Sequence, residues 1–181
     1  MREIALHILD IAENGVAASA DRIIISIDQN LAENWLDISI EDNGKGMDEE
    51  TAARIMDPFV TSRTTRKVGL GIPLFKAAAE ACNGYLKIAS TPGKGTTVSV
   101  RFQNDHIDRM PLGNLQNTFF TLFIGYQTIH WIFRVKVGEH LFEFDDEPIK
   151  KELDGIPLTD PSILKFIREY LEEGLQEVQA R

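Results

Sequence analysis

Cysteine is nearly absent. Cys82 is the only one in 181 residues, so no disulfide can close within the chain and no cysteine-based zinc site can be assembled. That usage suits a reducing, cytoplasmic compartment. Basic residues are in deficit too, with 19 Lys and Arg against 28 Asp and Glu and a formal charge of −9. A surface that grips nucleic acid or an anionic membrane needs a positive field, so neither is an expected partner. A protein or a metal-bound nucleotide fits better. Long apolar runs are lacking at the start, where Arg2, Glu3, His7 and Asp10 interrupt Met1 to Ile11. This rules out a secretory core or a membrane span there.

The 43% hydrophobic content is ample for a packed core in one large domain or two small ones. Ile4, Ile8 and Ile11, with Ala5, Leu9 and Ala12, recur at helical spacing and predict an amphipathic opening helix that Gly15 weakens or ends. Ile23, Ile25 and Ile27, then Leu36, Ile38 and Ile40, alternate with polar neighbours and predict a hairpin joined by the polar stretch from Asp28 to Asn34. A short helix is expected near Asp48 to Ile55. Another should follow Gly71, with Pro73 in its first turn and Gly84 past its end, and then strands near Tyr85 to Ala89 and Thr96 to Phe102.

From about Asn104 the pattern changes. Leu115, Phe119, Leu122 and Phe123 predict a helix, and Ile129 to Val135 and Leu141 to Phe144 predict strands around Gly138. The last helix is opened by Thr159 or Asp160 and Pro161, with Ile163, Ile167, Tyr170 or Leu171, Leu175 and Val178 as its apolar stripe. The expectation is two domains, 1–103 and 104–181, the second a small α+β unit. Within it Ile129, Trp131, Phe133 and Val135 form one apolar strand face, either core or docking surface.

Several residues suit chemistry. His7, Asp10 and Asn14 stand at i, i+3 and i+7, on one face of the opening helix. An amide oxygen can complete the shell of a phosphate-bound magnesium ion, and a carboxylate one turn away can position or deprotonate a nucleophile. The plain alternative is a solvated helix face, and for His7 a packed core residue. Asp42 follows the strand of Leu36, Ile38 and Ile40, where its carboxylate can accept an amino hydrogen, while Gly44 and Gly46 let backbone approach a ligand closely. A calcium loop starting at Glu41 would need an oxygen ligand at Lys45 and an acid at Ala52, so that reading fails. Gly69-x-Gly71 ahead of a helix can present N–H groups to phosphate.

Taken in order, Asp10-x-x-x-Asn14, Asp42-x-Gly44-x-Gly46, Phe59, Gly69-x-Gly71 and Gly93-x-Gly95-Thr96 span roughly residues 1 to 102. This set resembles the GHKL ATPase family, shared by histidine kinases, type II topoisomerases and heat-shock chaperones. The resemblance implies a two-layer α/β sandwich, with a mixed, mainly antiparallel sheet, helices on one face and ATP between the layers. It implies that Asp42 hydrogen-bonds the adenine amino group, that Thr96 helps line the pocket and that Asn14 holds Mg2+. Met56 to Val68 would be the ATP lid, where Arg63, ahead of Arg66 or Lys67, would meet the phosphates.

Hydrolytic members carry a glutamate four residues before the magnesium asparagine. Here the residue is Asp10, one methylene shorter, and it is the candidate base. The reaction is therefore open between hydrolysis, phosphotransfer to a separate partner protein and an ATP-gated binding switch with little turnover. A homodimer is among the expectations. His106-Ile-Asp-Arg-Met-Pro111-Leu112 has the spacing of a phosphoacceptor box, with Ile107 where an acid is usual, and reads either as that box or as an interdomain linker.

Overall fold

A computed structural model of the protein describes residues 3–57 and 71–179. The opening helix, α1 (Ile4–Ala17), buries Ile4, Ala5, Ile8, Ile11 and Ala12 and leaves Asn14 exposed. Gly15 lies inside the helix rather than ending it. A Cβ there would come within 2.9 Å of Asp42 Cβ and 3.1 Å of Ile23 Cδ1, so the missing side chain is what lets α1 settle onto the sheet. The predicted hairpin is β1 (Arg22–Asn30) and β2 (Trp35–Asp42), antiparallel, with Ile25 opposite Ile40 and Ile27 opposite Ile38. Pairing runs on to Asn30 and Trp35, so the strands absorb much of the polar stretch expected to join them.

The short helix α2 (Glu49–Ile55) starts where Asp48 accepts the Thr51 N–H at 2.8 Å. After α3 (Gly71–Ala81) come β3 (Tyr85–Thr91) and β4 (Gly95–Gln103), then α4 (Leu115–Gly125), β5 (His130–Val137), β6 (His140–Asp145), α5 (Asp146–Glu152) and α6 (Pro161–Gln179). The sequence did not announce α5. It begins where Asp145 accepts the Glu147 N–H, while the buried Asp146 accepts the Trp131 N–H at 3.0 Å and pairs with Lys150.

One six-stranded sheet, ordered β3-β4-β2-β1-β5-β6, runs through the protein. β5 lies parallel to β1 and the other pairings are antiparallel. The helices cover one face: α3 against β3 and β4, α1 against β1 and β2, α6 against β5 and β6, and α4 between α1 and α6. The mixed, mainly antiparallel sheet with helices on one side is thus the expected class.

The division expected after residue 103 is not a division of sheet or core. Register sets Ile23 beside Trp131, Ile25 beside Phe133 and Ile27 beside Val135, and all six belong to one buried cluster. The apolar face of β5 is therefore core, with Phe133 stacked on Phe119 at 4.3 Å and on Phe144 at 5.5 Å. The segment 106–112 is a non-helical connector rather than a helix. Its Pro111 and Leu112 carbonyls accept the N–H groups of Ile4 and Ala5 at 3.0 and 2.8 Å, satisfying donors that the first turn of α1 leaves free. Among the described residues no helix is long and apolar enough to cross a membrane.

Because β1 loses its parallel neighbour when the chain is cut after residue 103, a 1–103 fragment is expected to show no cooperative thermal transition by circular dichroism. A sigmoidal melt matching the full chain would show that the first hundred residues form their own core. Within the full chain, Phe133→Ala should destabilise by about 3–5 kcal/mol, as for other buried aromatic truncations.

Candidate functional site

Asp42 ends β2 on the helix-covered side, since it shares parity with Leu36, Ile38 and Ile40. Four backbone segments close around it. Its Oδ1 accepts the Gly44 N–H at 2.9 Å, and its carbonyl oxygen lies where a Cβ on Gly95 would sit at 2.0 Å. Gly95 has φ +113°, and Gly46, with φ +65°, would drive a Cβ to 2.0 Å from the Thr91 carbonyl. At both positions only glycine fits the backbone and the space. The loop after Asp42 is stitched down on two sides. Lys45 N–H donates to Ala18 O at 2.9 Å and Gly93 N–H to Lys45 O at 2.7 Å, while Asn43 Oδ1 accepts the N–H groups of Asp21 and Arg22 at 3.0 and 2.9 Å.

Thr96 pairs with Asp42 across the β2–β4 ladder. Its hydroxyl lies 2.8 Å from Ser90 Oγ, which donates to Gly95 O at 3.1 Å and accepts the Met47 N–H at 2.8 Å. Either hydroxyl of the Ser90–Thr96 pair can be the donor, and in both cases the Thr96 oxygen keeps a lone pair as an acceptor. Asn14, Asp42, Gly46 and Thr96 line a cavity of about 220 Å³ whose apolar wall includes Ile11, Met47, Ile55, Ile72 and Val98. Burial pushes the Asp42 carboxyl above its ordinary pKa, against the backbone N–H groups of Gly44 and Thr96, which pull it down.

Asp10 stands one turn before Asn14, beside the cavity rather than in its lining. Its carboxylate packs on the first residue of α3: a Cβ on Gly71 would lie 1.7 Å from Asp10 Oδ2. Burial raises the Asp10 pKa, and the negative charge of Glu13 raises it further. Both acids therefore sit where ionisation is disfavoured.

The structure thus brings Asn14, Asp42, Gly46 and Thr96 to one cavity, with Gly44 beneath Asp42 and Asp10 against Gly71 at its edge. Phe59, Arg63 and Gly69 lie outside the described residues. Gly15 and Ser90 are contributors that the motif reading passed over. A glycine in the middle of an otherwise strong helix was the available signal for Gly15, and Ser90 follows from carrying the hairpin register back from Gly95 to find what faces Thr96.

A family model described as "Histidine kinase-, DNA gyrase B-, and HSP90-like ATPase" matches residues 1–106. The chain is 37% identical over 93 residues to the sensor protein kinase FleS of Pseudomonas aeruginosa, covering 51% of this chain and 23% of that one. It is 36% identical over 94 residues to the signal transduction histidine-protein kinase AtoS of Escherichia coli K12, covering 51% and 15%. A crystal structure of full-length ShkA in complex with AMPPNP is similar over 54% of this chain and 20% of that one, at 23% identity and a TM-score of 0.44. The chain therefore spans less than a quarter of the length of each.

Gly95→Ala should disturb the site and the fold together, because the new methyl meets the Asp42 carbonyl in a backbone conformation that favours glycine. A loss of roughly 1–3 kcal/mol is expected in denaturant unfolding. An unchanged midpoint would mean that the contact is looser than described.

Proposed function

Because the chain belongs to the histidine kinase-, DNA gyrase B- and HSP90-like ATPase family, whose model covers more than half of it, we propose that it binds Mg-ATP in the cavity beside Asp42 and acts on a separate protein as an ATPase or protein kinase. One observation carries the reading. Asn14, Asp42, Gly46 and Thr96, far apart in sequence, line a single small cavity with an apolar wall and one half-buried carboxylate. About 220 Å³ is less than the ~300–1,000 Å³ of a pocket that encloses a whole ligand. It suits the base of a nucleotide whose phosphates extend beyond it.

In this arrangement the Asp42 carboxylate accepts a hydrogen from the exocyclic amine, and the Thr96 oxygen offers a second acceptor. Gly44 holds the carboxylate in place through its N–H, and Gly46 keeps the loop low enough for the ring to enter. The exposed amide of Asn14 is a hard oxygen donor at the cavity edge, which fits a magnesium ion kept mostly by phosphate and water. Bound there, the metal would neutralise phosphate charge. Asp10, with its pKa raised by burial, is placed one turn away to take the proton of an attacking water or hydroxyl. Arg63 keeps the phosphate contact that the family resemblance implies, Gly69 the N–H groups that its place ahead of α3 can offer to phosphate, and Phe59 its place in the ATP-binding motif set. Similarity to sensor kinases supports a protein as the partner.

A second reading rests on the same acid. Asp10 is pressed against Gly71 and is one methylene shorter than the hydrolytic glutamate, so its carboxylate stands back from the cavity. That supports a slow ATP-gated switch, in which nucleotide binding changes the surface offered to the partner.

Three substitutions test these readings. Asp42→Asn removes a charged acceptor and should weaken ATP binding about 10–100-fold, the equivalent of ~1.5–3 kcal/mol. Burial raises the Asp42 pKa in the folded state, so the ionised form costs stability as pH climbs past the unfolded value. The amide escapes that cost. The free variant should therefore melt no lower than wild type at neutral pH, and a lower melting temperature would contradict the sign of the shift. With γ-labelled ATP, label should leave as free phosphate or enter a partner protein, and Asp10→Asn should abolish either route. Turnover that persists in Asp10→Asn would remove Asp10 as base. Asp10→Glu should raise hydrolysis if the short side chain is what slows it, and no gain would count against the switch.

A further inference from the structure

α6 carries two stripes. Ile167, Leu171, Leu175 and Val178 are buried and fix the helix to the core. Roughly a third of the way round the axis, Phe166, Tyr170, Glu173 and Glu177 follow one another at i, i+4, i+7 and i+11. All four are exposed, Phe166 at 52% and Tyr170 at 42%. The whole stripe lies beyond the residues that the family model matches.

Its aromatic end is held in place from below. Tyr170 packs on Phe142 and Phe144 of β6, with ring centroids 5.8 and 6.0 Å away, and Phe166 stacks on Tyr170 at 6.0 Å with planes within 21°. Phe144 is fully buried, so the ladder of rings runs from core to surface. The buried stripe already anchors α6, which leaves the outer rings without a part in the core. Aromatics fixed in this way suit an interface, because little side-chain freedom remains to be lost on binding.

The other end carries charge at the expense of the free protein. Glu173 has Glu169 and Glu177 one turn away on either side, and like charges at that spacing repel. Glu177 stands in the last turn, where the helix dipole disfavours an acid and no basic residue offsets it. Glu169 pairs with Lys165 at 3.7 Å and Glu172 accepts from Gln176 at 3.3 Å. Glu173 and Glu177 have neither ion pair nor hydrogen bond among the described residues. A cation laid along this end would relieve both the repulsion and the unfavourable dipole.

We propose that the stripe docks a basic amphipathic helix of a partner protein, its apolar side chains on Phe166 and Tyr170 and its Lys or Arg on Glu173 and Glu177. From residue 166 to residue 177 the helix rises about 16 Å, which three turns of a partner helix match. A second copy of the chain is the poorer occupant, because it brings a like net charge of −9. The inference rests on the proposed action on a separate protein for its purpose. Docking is measured without nucleotide, so either reading can fail alone.

The probes are synthetic alanine-based helical peptides bearing two Leu and two Arg at i, i+4, i+7 and i+11, one with the Leu first and one with the Arg first. Versions with Glu in place of Arg are the controls. Each is titrated into the full chain and followed by amide NMR. We expect saturable shifts at α6 and β6 with one of the Arg peptides, and at least about tenfold weaker binding of its Glu version. Phe166→Ala and Glu177→Lys should each weaken the Arg peptide about tenfold. Glu177→Lys should melt no lower than wild type, since it replaces a repulsion with an attractive pair and suits the helix end. That separates lost binding from lost fold. With Glu173→Lys and Glu177→Lys together, the preference should pass to the Glu peptide. Equal binding of Arg and Glu peptides, shifts that gather elsewhere or do not saturate, or an affinity unmoved by Glu177→Lys would overturn the proposal. So would self-association of wild type that Phe166→Ala abolishes, because the stripe would then belong to a second copy.

Discussion

The fold depends on how closely four pieces of backbone approach Asp42. Gly15 brings α1 onto the end of β2, Gly44 turns the chain back under the carboxylate, Gly46 passes the Thr91 carbonyl, and Gly95 passes the carbonyl of Asp42 itself. A side chain at any of these would force an atom nearer than 3 Å to its neighbours. The result is a carboxylate that burial keeps from ionising easily while backbone N–H groups hold it in one place. Such a group is costly to the empty protein and useful to a ligand that offers it a hydrogen, which links the local strain to the proposed chemistry.

The second constraint comes from the part of the chain that the family model does not match. β5 pairs in parallel with β1, so residues after 104 finish the sheet on which the site stands. Phe119, Phe133, Phe144 and Trp131 fill the space between that sheet and α4 and α6. The contact returns to α1 as well. Tyr126 donates to Glu13 at 2.9 Å, and Pro111 and Leu112 receive the first free N–H groups of α1. The helix carrying Asp10 and Asn14 is thus held from both ends by the C-terminal half.

Much of this was legible in the residues. Period-two isoleucines marked β1 and β2 because one face of each is buried, and Asp48, Pro73 and Pro161 marked helix starts because their side chains suit the first turn. The order of acid, amide and glycines marked the candidate site because each supplies an oxygen or a close approach, and the cavity gathers Asn14, Asp42, Gly46 and Thr96. What could not be read was pairing. Alternation in Trp131, Phe133 and Val135 shows an apolar face but not which strand it joins, so one continuous sheet looked like two domains. From sequence Gly15 can only be expected to weaken or end the helix, because its reason, the side chain of Asp42, lies 27 residues away. α5 has no periodic stripe, and what holds it is the buried pairing of Asp146 with Lys150 and Trp131.

The measurement that tests the central claim most directly is an amide NMR titration of the full chain with Mg-ATP. If the cavity beside Asp42 is the nucleotide site, saturable shifts should cluster at Asn14 to Ala18, Asp42 to Met47 and Gly95 to Val98, while β6 and α6 stay still. Shifts that gather elsewhere, or none at millimolar nucleotide, would contradict the account.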